Sequence, residues 1–553
     1  MSAAAIRLAC HLIQEHFGEI VEKVCRFLLE NGSSQLRVVV KRTNIQLSQV
    51  KKALCVLISH GIVAFESTKV GVVEYTANIN HCLLLARYPR FIYSAKTLYG
   101  DAGELIVEEL LRGGQMLMSM VVERVTERLR RAVEGSQKVE PSLARGKFIQ
   151  LVEARFVQRV PDMPDPTKEE PSPSSDIPKD EAVLYKLPSF VHDIGTPRGK
   201  RKREDKDDEQ GQKAKRSRTD SSGETEYYID EDIFWQVNLD RFHQYLRDQE
   251  IVNAVSRSCD KLGSEIVRTM LRMSELTTDK LANATAPMSF HEILRALPGN
   301  LNLDRNSLEQ YLKVLTEDQT RIVSKVAEAG GGMYIVGILF VDLKEGSVAV
   351  CLSCIQSVVQ ERFGSKSHRI FKLLVLKKYL EQRQIESFAL IPAKEAKDLL
   401  YQMFAEGYIS VQELSKAPDH APSRTYYPFF INLRQVAQKQ QDRCFKSLAN
   451  LIARRKYEMN ENKRLLEKAQ RVEVIANSFR SSGADESHIA EIEEMITPSE
   501  QELLKLNKAR MAKLETSELQ LDEMMFTLEN FLIYQQSSIS ADSKKAKGTT
   551  SNR

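Results

Sequence analysis

The chain has 553 residues, enough for several compact domains, and its apolar fraction of 42% is ordinary for globular proteins. Charged residues reach 28% yet nearly cancel to a net +4, which excludes a free-standing polycation and leaves any nucleic-acid contact to local patches. Eight scattered cysteines without disulfide-framework spacing, and no secretory leader, point to a reducing intracellular compartment. The most apolar window, 333–355, is broken by Asp342, Lys344 and Glu345 before it reaches the roughly 20 residues of a bilayer-spanning helix. A soluble protein without a membrane partner is expected.

From the start, residues 4–30 have the spacing of a long amphipathic helix ended by Asn31 and Gly32, and 36–43 form a short second element. Ser48 caps a third helix whose core stripe is Val50, Ala53, Leu54, Leu57 and Ile58. Gly61 ends it, and the runs VAFES and VVEYT flank the turn at Lys69, Val70 and Gly71 as a two-stranded wing. Three helices and a wing make a winged helix over 1–84. A second unit with a short wing is readable over 85–160: GELIVEELL, a helix at 119–131, another at 142–154 and a strand at 156–160.

Composition then changes abruptly. Residues 161–226 are rich in Pro, Ser, Asp, Glu and Lys and hold too little apolar surface to offset the entropy of ordering them, which predicts a disordered linker. Order resumes at Tyr227, where Trp235 precedes a helix that lays Phe242, Leu246 and Val252 to one side. Further helices, SFHEILRAL, a helix at 307–315 and a hairpin of RIVSKV and MYIV around Gly330, Gly331 and Gly332 give a third unit over 227–345. A fourth occupies 346–432. Its third helix opens at Pro392, carries the stripe Ala396, Leu399, Leu400, Met403 and Phe404, and stops at Gly407, ahead of strands at 408–414 and 425–431.

Beyond Asn432 the strands vanish. Residues 433–479 lack Pro and Gly, and Leu448, Ile452, Met459, Leu466, Ala469 and Val472 step by about three and four. After SSGAD a second long helix carries Leu503, Leu506, Leu514, Leu521, Met524, Leu528 and Phe531 at similar spacing, with Thr497, Pro498 and Glu500 as a fresh helix start. The two should fold back as an antiparallel coiled-coil hairpin over 433–536, with Leu506 and Leu528 in its seam and a disordered tail at 537–553. The expected class is therefore mainly α with small β wings, four tandem winged-helix domains followed by that hairpin.

The stretches LIQEHFGEIVEKV, LARYPRFIYSAKTLYGDAGELIVEELL, EIVRTMLRMSELTT, VVQERFGSKSHRIF, IPAKEAKDLLYQMF, APDHAPSRTYY and ENKRLLEKAQRVE cover most of the chain outside the linker. With them the chain resembles the winged-helix third-largest subunit of eukaryotic DNA-directed RNA polymerase III, a relative of the alpha chain of general transcription factor IIE. The resemblance implies a non-catalytic subunit of a peripheral heterotrimer near the polymerase clamp, needed for promoter-directed initiation and DNA opening. Residues 337–355 depart from it, being more apolar and more strand-like than the Ala-rich helical link of the family.

No phosphate-cradling GxxxxGK[ST] loop, HExxH, GxSxG or paired-aspartate metal signature occurs, so neither catalysis nor a cofactor has residues to carry it. Cys351 and Cys354 form a CxxC, but no second ligand pair stands at finger spacing, and packing in an apolar segment is the simpler account. The linker holds two basic clusters, Lys200, Arg201, Lys202 and Arg203, then Lys213, Lys215 and Arg216, in the form of a bipartite nuclear import signal. In a winged helix that reads DNA the third helix enters the major groove. The candidate DNA contacts are thus Lys51 and Lys52, off the apolar stripe of unit one, with Lys41 and Arg42 just before them. In unit four they are Lys394 and Lys397, in a face mixed with Asp398 and Tyr401, and Lys416 and Arg424 beside the wing. None offers a base-reading pattern, so weak phosphate and single-strand contacts are expected, against the alternative of a scaffold whose winged helices bind only other subunits.

Overall fold

The computed structural model describes residues 2–67, 72–132, 140–160, 184–187, 233–279, 282–299, 303–318, 320–325, 338–415, 425–481 and 495–549. It divides into two compact units, one built from 1–54, 64–87 and 243–553, the other from 55–63 and 88–242.

In the first unit the helix expected over 4–30 is two helices, α1 (Ala3–Phe17) and α2 (Glu19–Asn31), which meet at Gly18. Its φ of 90° and ψ of 176° lie in a region open essentially to glycine alone. α3 (Leu36–Thr43) and α4 (Leu47–Ser59) follow, with a three-stranded sheet in the order β1 (Ser34–Gln35), β3 (Val73–Ala77), β2 (Val63–Ser67). Val39, Val50, Ala53, Leu54 and Leu57 are buried, as their helical spacing requires.

The second unit corrects the expected boundary between linker and third domain. α5 (Ile79–Leu84) still belongs to the first unit; α6 (Tyr88–Gly113), kinked at Gly100 with φ 76°, opens the second. β4 (Met116–Leu117), α7 (Met118–Ala132), α8 (Pro141–Glu153) and β5 (Val157–Arg159) come next. The sheet is completed by β6 (Phe234–Val237), which lies between β4 and β5 and pairs Val157 with Val237. Residues 161–232 are therefore an excursion within the wing of this domain, since Val160 N–H donates to the Phe234 carbonyl at 2.9 Å. Trp235, expected to start the third unit, is fully buried edge-on to Phe148 of α8 at 5.5 Å. The excursion touches the sheet at Tyr185, whose hydroxyl accepts from Asn238 Nδ2 at 3.0 Å.

α9 (Leu239–Ser258) starts in the second unit and continues into the first, where α10 (Lys261–Ser274), α11 (Phe290–Ala296) and α12 (Arg305–Glu317) surround the sheet β7 (Met288–Ser289), β9 (Ile338–Val341), β8 (Val323–Lys325). The partner of β8 is thus Ile338–Val341; MYIV, at 333–336, lies outside the described residues. Residues 337–355 split in character at Asp342, whose carboxylate accepts from Glu345 N–H at 2.9 Å and starts α13 (Leu343–Lys377). This helix kinks at Gly364, with φ 84° and ψ 177°. α14 (Gln382–Ala389), α15 (Ala393–Ala405) and the short pairs β10 (Ser410–Val411) with β13 (Phe429–Phe430), and β11 (Leu414–Ser415) with β12 (Thr425–Tyr426), complete the fourth set. Ala396, Leu400 and Met403 are buried there, but Phe404 is exposed, contrary to the expected stripe.

The hairpin consists of α16 (Leu433–Glu461), α17 (Lys463–Ser481) and α18 (Pro498–Thr549), so the stretch expected as a disordered tail begins as a continuation of α18 to Thr549. The capping box at its start is present: Glu500 accepts from Thr497 N–H at 2.9 Å, and Glu500 N–H donates to Thr497 Oγ1 at 3.4 Å. The seam follows expectation at Leu514, Leu521, Leu528 and Phe531 but departs from it near the start of the helix. Leu503 and Leu506 are exposed, while Asn507, Asp522, Met525, Leu528 and Leu532 are buried. Successive inward positions Leu504, Asn507, Met511, Leu514, Glu518, Leu521, Met525 and Leu528 step by three and four, a heptad with polar members.

Candidate nucleic-acid interface

On α3, Arg37, Val38, Lys41 and Arg42 are exposed, and on α4 so are Ser48, Lys51, Lys52 and Cys55, at i, i+3, i+4 and i+7. That spacing places the two lysines on one solvent face, opposite Val50 and Leu54. Among the described residues none of Arg37, Lys41, Arg42, Lys51 and Lys52 forms an ion pair. The wing beside them exposes Phe65 on β2 and Val73 on β3. Uncompensated cations on the second and third helices are what phosphate contact requires. Arg37 escaped the reading of the sequence, although its place one turn before Lys41 could have revealed it.

This domain is held from behind. Arg455 of α16 donates to both Glu15 carboxylate oxygens, at 2.7 and 3.0 Å, and to Glu518 of α18 at 2.9 Å. Arg87, which follows α5, is fully buried: Nε donates to Asp522 at 3.1 Å, Nη2 to Glu529 at 2.8 Å, and the guanidinium lies 4.9 Å from the Phe526 ring centre. Burial pushes the Glu529 carboxyl up, but the adjoining Arg87 charge prevails and holds it below the ordinary carboxylate range. Arg247 of α9 donates to the Tyr534 hydroxyl at 3.0 Å, and Thr527 donates to Glu250 at 3.0 Å. The cationic face is thus carried on a domain whose rear is fixed to the hairpin, while its own side chains stay free.

On α15, Lys394 and Lys397 are exposed without an ion pair among the described residues, but Asp398 shares their face and Glu395 is paired with Lys366. The surface is mixed in sign. Tyr408, buried behind it, accepts from Arg443 at 2.9 Å and Arg362 at 3.3 Å and donates to Gln440 at 2.9 Å. Lys416 and Arg424 lie outside the described residues, as do Lys200, Arg201, Lys202, Arg203, Lys213, Lys215 and Arg216. Cys351 and Cys354 sit on α13, where burial pushes both thiols up, Cys354 to about 11, so the neutral thiol is favoured.

Family models match four stretches: RNA polymerase III subunit RPC82 over 146–338, the POLR3C C-terminal winged-helix domain over 355–431, the RPC3 helical hairpin domain over 464–527, and the RPC82 helix-turn-helix domain over 7–67. DNA-directed RNA polymerase III subunit RPC3 of Rattus norvegicus is 48% identical over 537 residues, covering 96% of this chain and 99% of that protein. The Homo sapiens RPC3 is 47% identical over 536 residues with the same coverage, and that of Danio rerio 45% over 548 residues. Identity at this level across nearly the full length of both chains, with winged-helix and hairpin matches falling on the domains described above, shows that the chain belongs to the RPC3 family of RNA polymerase III subunits.

Proposed function

We propose that this chain is a non-catalytic peripheral subunit of RNA polymerase III that supports promoter-directed initiation and DNA opening, working in a heterotrimeric subassembly near the clamp. Its four winged helices, the second bearing the 161–232 excursion in its wing, supply weak, sequence-independent contacts to DNA, single strands included, and surfaces for other subunits. The observation that carries the DNA role is the unpaired cationic face of Arg37, Lys41, Arg42, Lys51 and Lys52. Phosphate contact would release counterions, so binding should weaken steeply with salt, and Lys51→Glu with Lys52→Glu should lower the log–log salt slope by about 2. The same doubly substituted enzyme should assemble fully and open promoters poorly. Normal opening by a fully assembled variant would return both lysines to a solvated face.

A second reading, a scaffold whose winged helices bind only subunits, is favoured at the fourth domain by the mixed charge around Lys394, Lys397 and Asp398. It predicts that Lys394→Glu with Lys397→Glu weakens assembly before it affects opening. We also propose nuclear location through the two basic clusters of the excursion. Their replacement by alanine should leave a fluorescent fusion cytoplasmic in cells lacking the partner subunits, and undiminished nuclear accumulation there would refute it.

A further inference from the structure

We infer that the surface of the fourth winged helix formed by the last two turns of α13 and the end of α14 is a docking site for an acidic, apolar-bearing peptide segment of a partner protein. The inference does not depend on the DNA contact proposed for the first domain. Leu376 is 70% exposed, Phe388 53% and Leu390 84%. Single exposed leucines are ordinary, but Leu376 stands beside Lys377 on α13, and Lys377 reaches the end of α14 that carries Phe388 and leads into Leu390. Arg369 Nη1 of α13 donates to the Ala389 carbonyl at 2.9 Å, and Lys377 Nζ lies 6.0 Å from the Phe388 ring centre. Leu376 and Lys377 follow Arg369 at i+7 and i+8, so they share the face that Arg369 turns toward the end of α14.

Leu390 is the sharpest observation. It caps α14 in the left-handed region, φ 53° and ψ 49°, with its N–H bonded to the Glu386 carbonyl. Glycine or asparagine would suit that backbone, which a leucine adopts only with strain. Its side chain contributes almost nothing to the core. Neither the turn nor the packing explains a leucine here, whereas a contact from outside the chain does.

The charge around this apolar centre selects the partner. Between 369 and 390 stand the cations Arg369, Lys372, Lys377, Lys378 and Arg383 against two carboxylates, Glu381 and Glu386. Glu381 is engaged in the capping box of α14, and Glu386 accepts from Gln382 at 2.9 Å. Lys372, Lys377, Lys378 and Arg383 are exposed and form no ion pair among the described residues. A cationic rim about an apolar centre complements acidic residues interleaved with apolar ones. Single-stranded nucleic acid fits less well, because its bases need open aromatic faces, and here Lys377 lies over Phe388 and the exposed Tyr379 ring is packed against Phe430 at 5.5 Å.

The test uses the full chain and three fluorescein-labelled probes: a peptide of about fifteen residues made of Asp, Glu, Leu and Phe, its counterpart with Lys for the acids, and oligo(dT) of similar length. The acidic peptide should bind and the lysine peptide should not. Leu376→Ser with Leu390→Asn should weaken that binding by about tenfold or more, as should Lys377→Glu with Lys378→Glu. Leu390→Asn alone suits the left-handed backbone and should unfold no earlier than the parent, so a loss of binding there cannot be a loss of fold. Equal binding of the two peptides, undiminished binding by the leucine variants, or a loss confined to oligo(dT) would each overturn the inference.

Discussion

The two ends of α18 belong to one helix in one hairpin, yet they live in different surroundings. Around Asp522 to Tyr534 the helix is buried on several sides: Arg87 reaches Asp522 and Glu529, Arg247 reaches Tyr534, and Cys444 of α16 contacts Met524 at 3.4 Å. Near its start, among the described residues, it is bonded by Lys468 of the neighbouring arm of the hairpin. There Leu503 and Leu506 face solvent, Asn507 occupies the seam, and Lys468 bonds Glu500 at 2.7 Å. The number of neighbours, and not the apolarity of the sequence, decides which leucines become core.

The contrast can be broken most severely at the crowded end. Leu528→Asp would place an unpaired charge where no water reaches and should cost about 4 kcal/mol or more, read from the urea midpoint of the full chain. A loss under about 1 kcal/mol would show that the base is loosely packed.

A smaller effect is expected from acid at the distal end. Hydrogen bonds from Lys468, and then from Thr497, hold the Glu500 carboxyl down at about 2. Because the folded value lies below the unfolded value of about 4.3, the contribution is complete above that pH and disappears as pH falls toward about 2. Distal helicity should decline across this window in the parent, while Glu500→Gln, which has no charge to lose, should show no such step by circular dichroism. The smallest effect belongs to Leu506→Asp, which should change stability by no more than about 0.5 kcal/mol. If Leu506→Asp matched Leu528→Asp, the two ends would be one continuous core after all.

Much of this architecture was legible because exposed and buried positions separate cleanly by period. The stripe of α4 identified its own opposite face, so Lys51 and Lys52 could be placed without coordinates. Three features were not legible. Gly18 interrupts a helix without disturbing the apolar spacing around it, so one helix was expected over 4–30 where two meet. The start of the α18 seam was misread because exposed Leu503 and Leu506 are more apolar than the buried Asn507 that carries its register there, whereas Leu514, Leu521 and Leu528 were placed correctly. Trp235 was assigned to the wrong domain because composition marks where a chain stops being apolar and says nothing of where a strand returns.

That return has a consequence for synthesis. β5 leaves the ribosome with all three helices of its domain, but the strand that must lie beside it, β6, is encoded only after the whole 161–232 excursion. At about 5–20 residues per second, the nascent domain waits several seconds with Met116, Phe148 and Val157 uncovered and its central strand unborn. A stall or premature stop within the excursion would leave no truncated but usable second domain, only an open sheet edge for chaperones to shield.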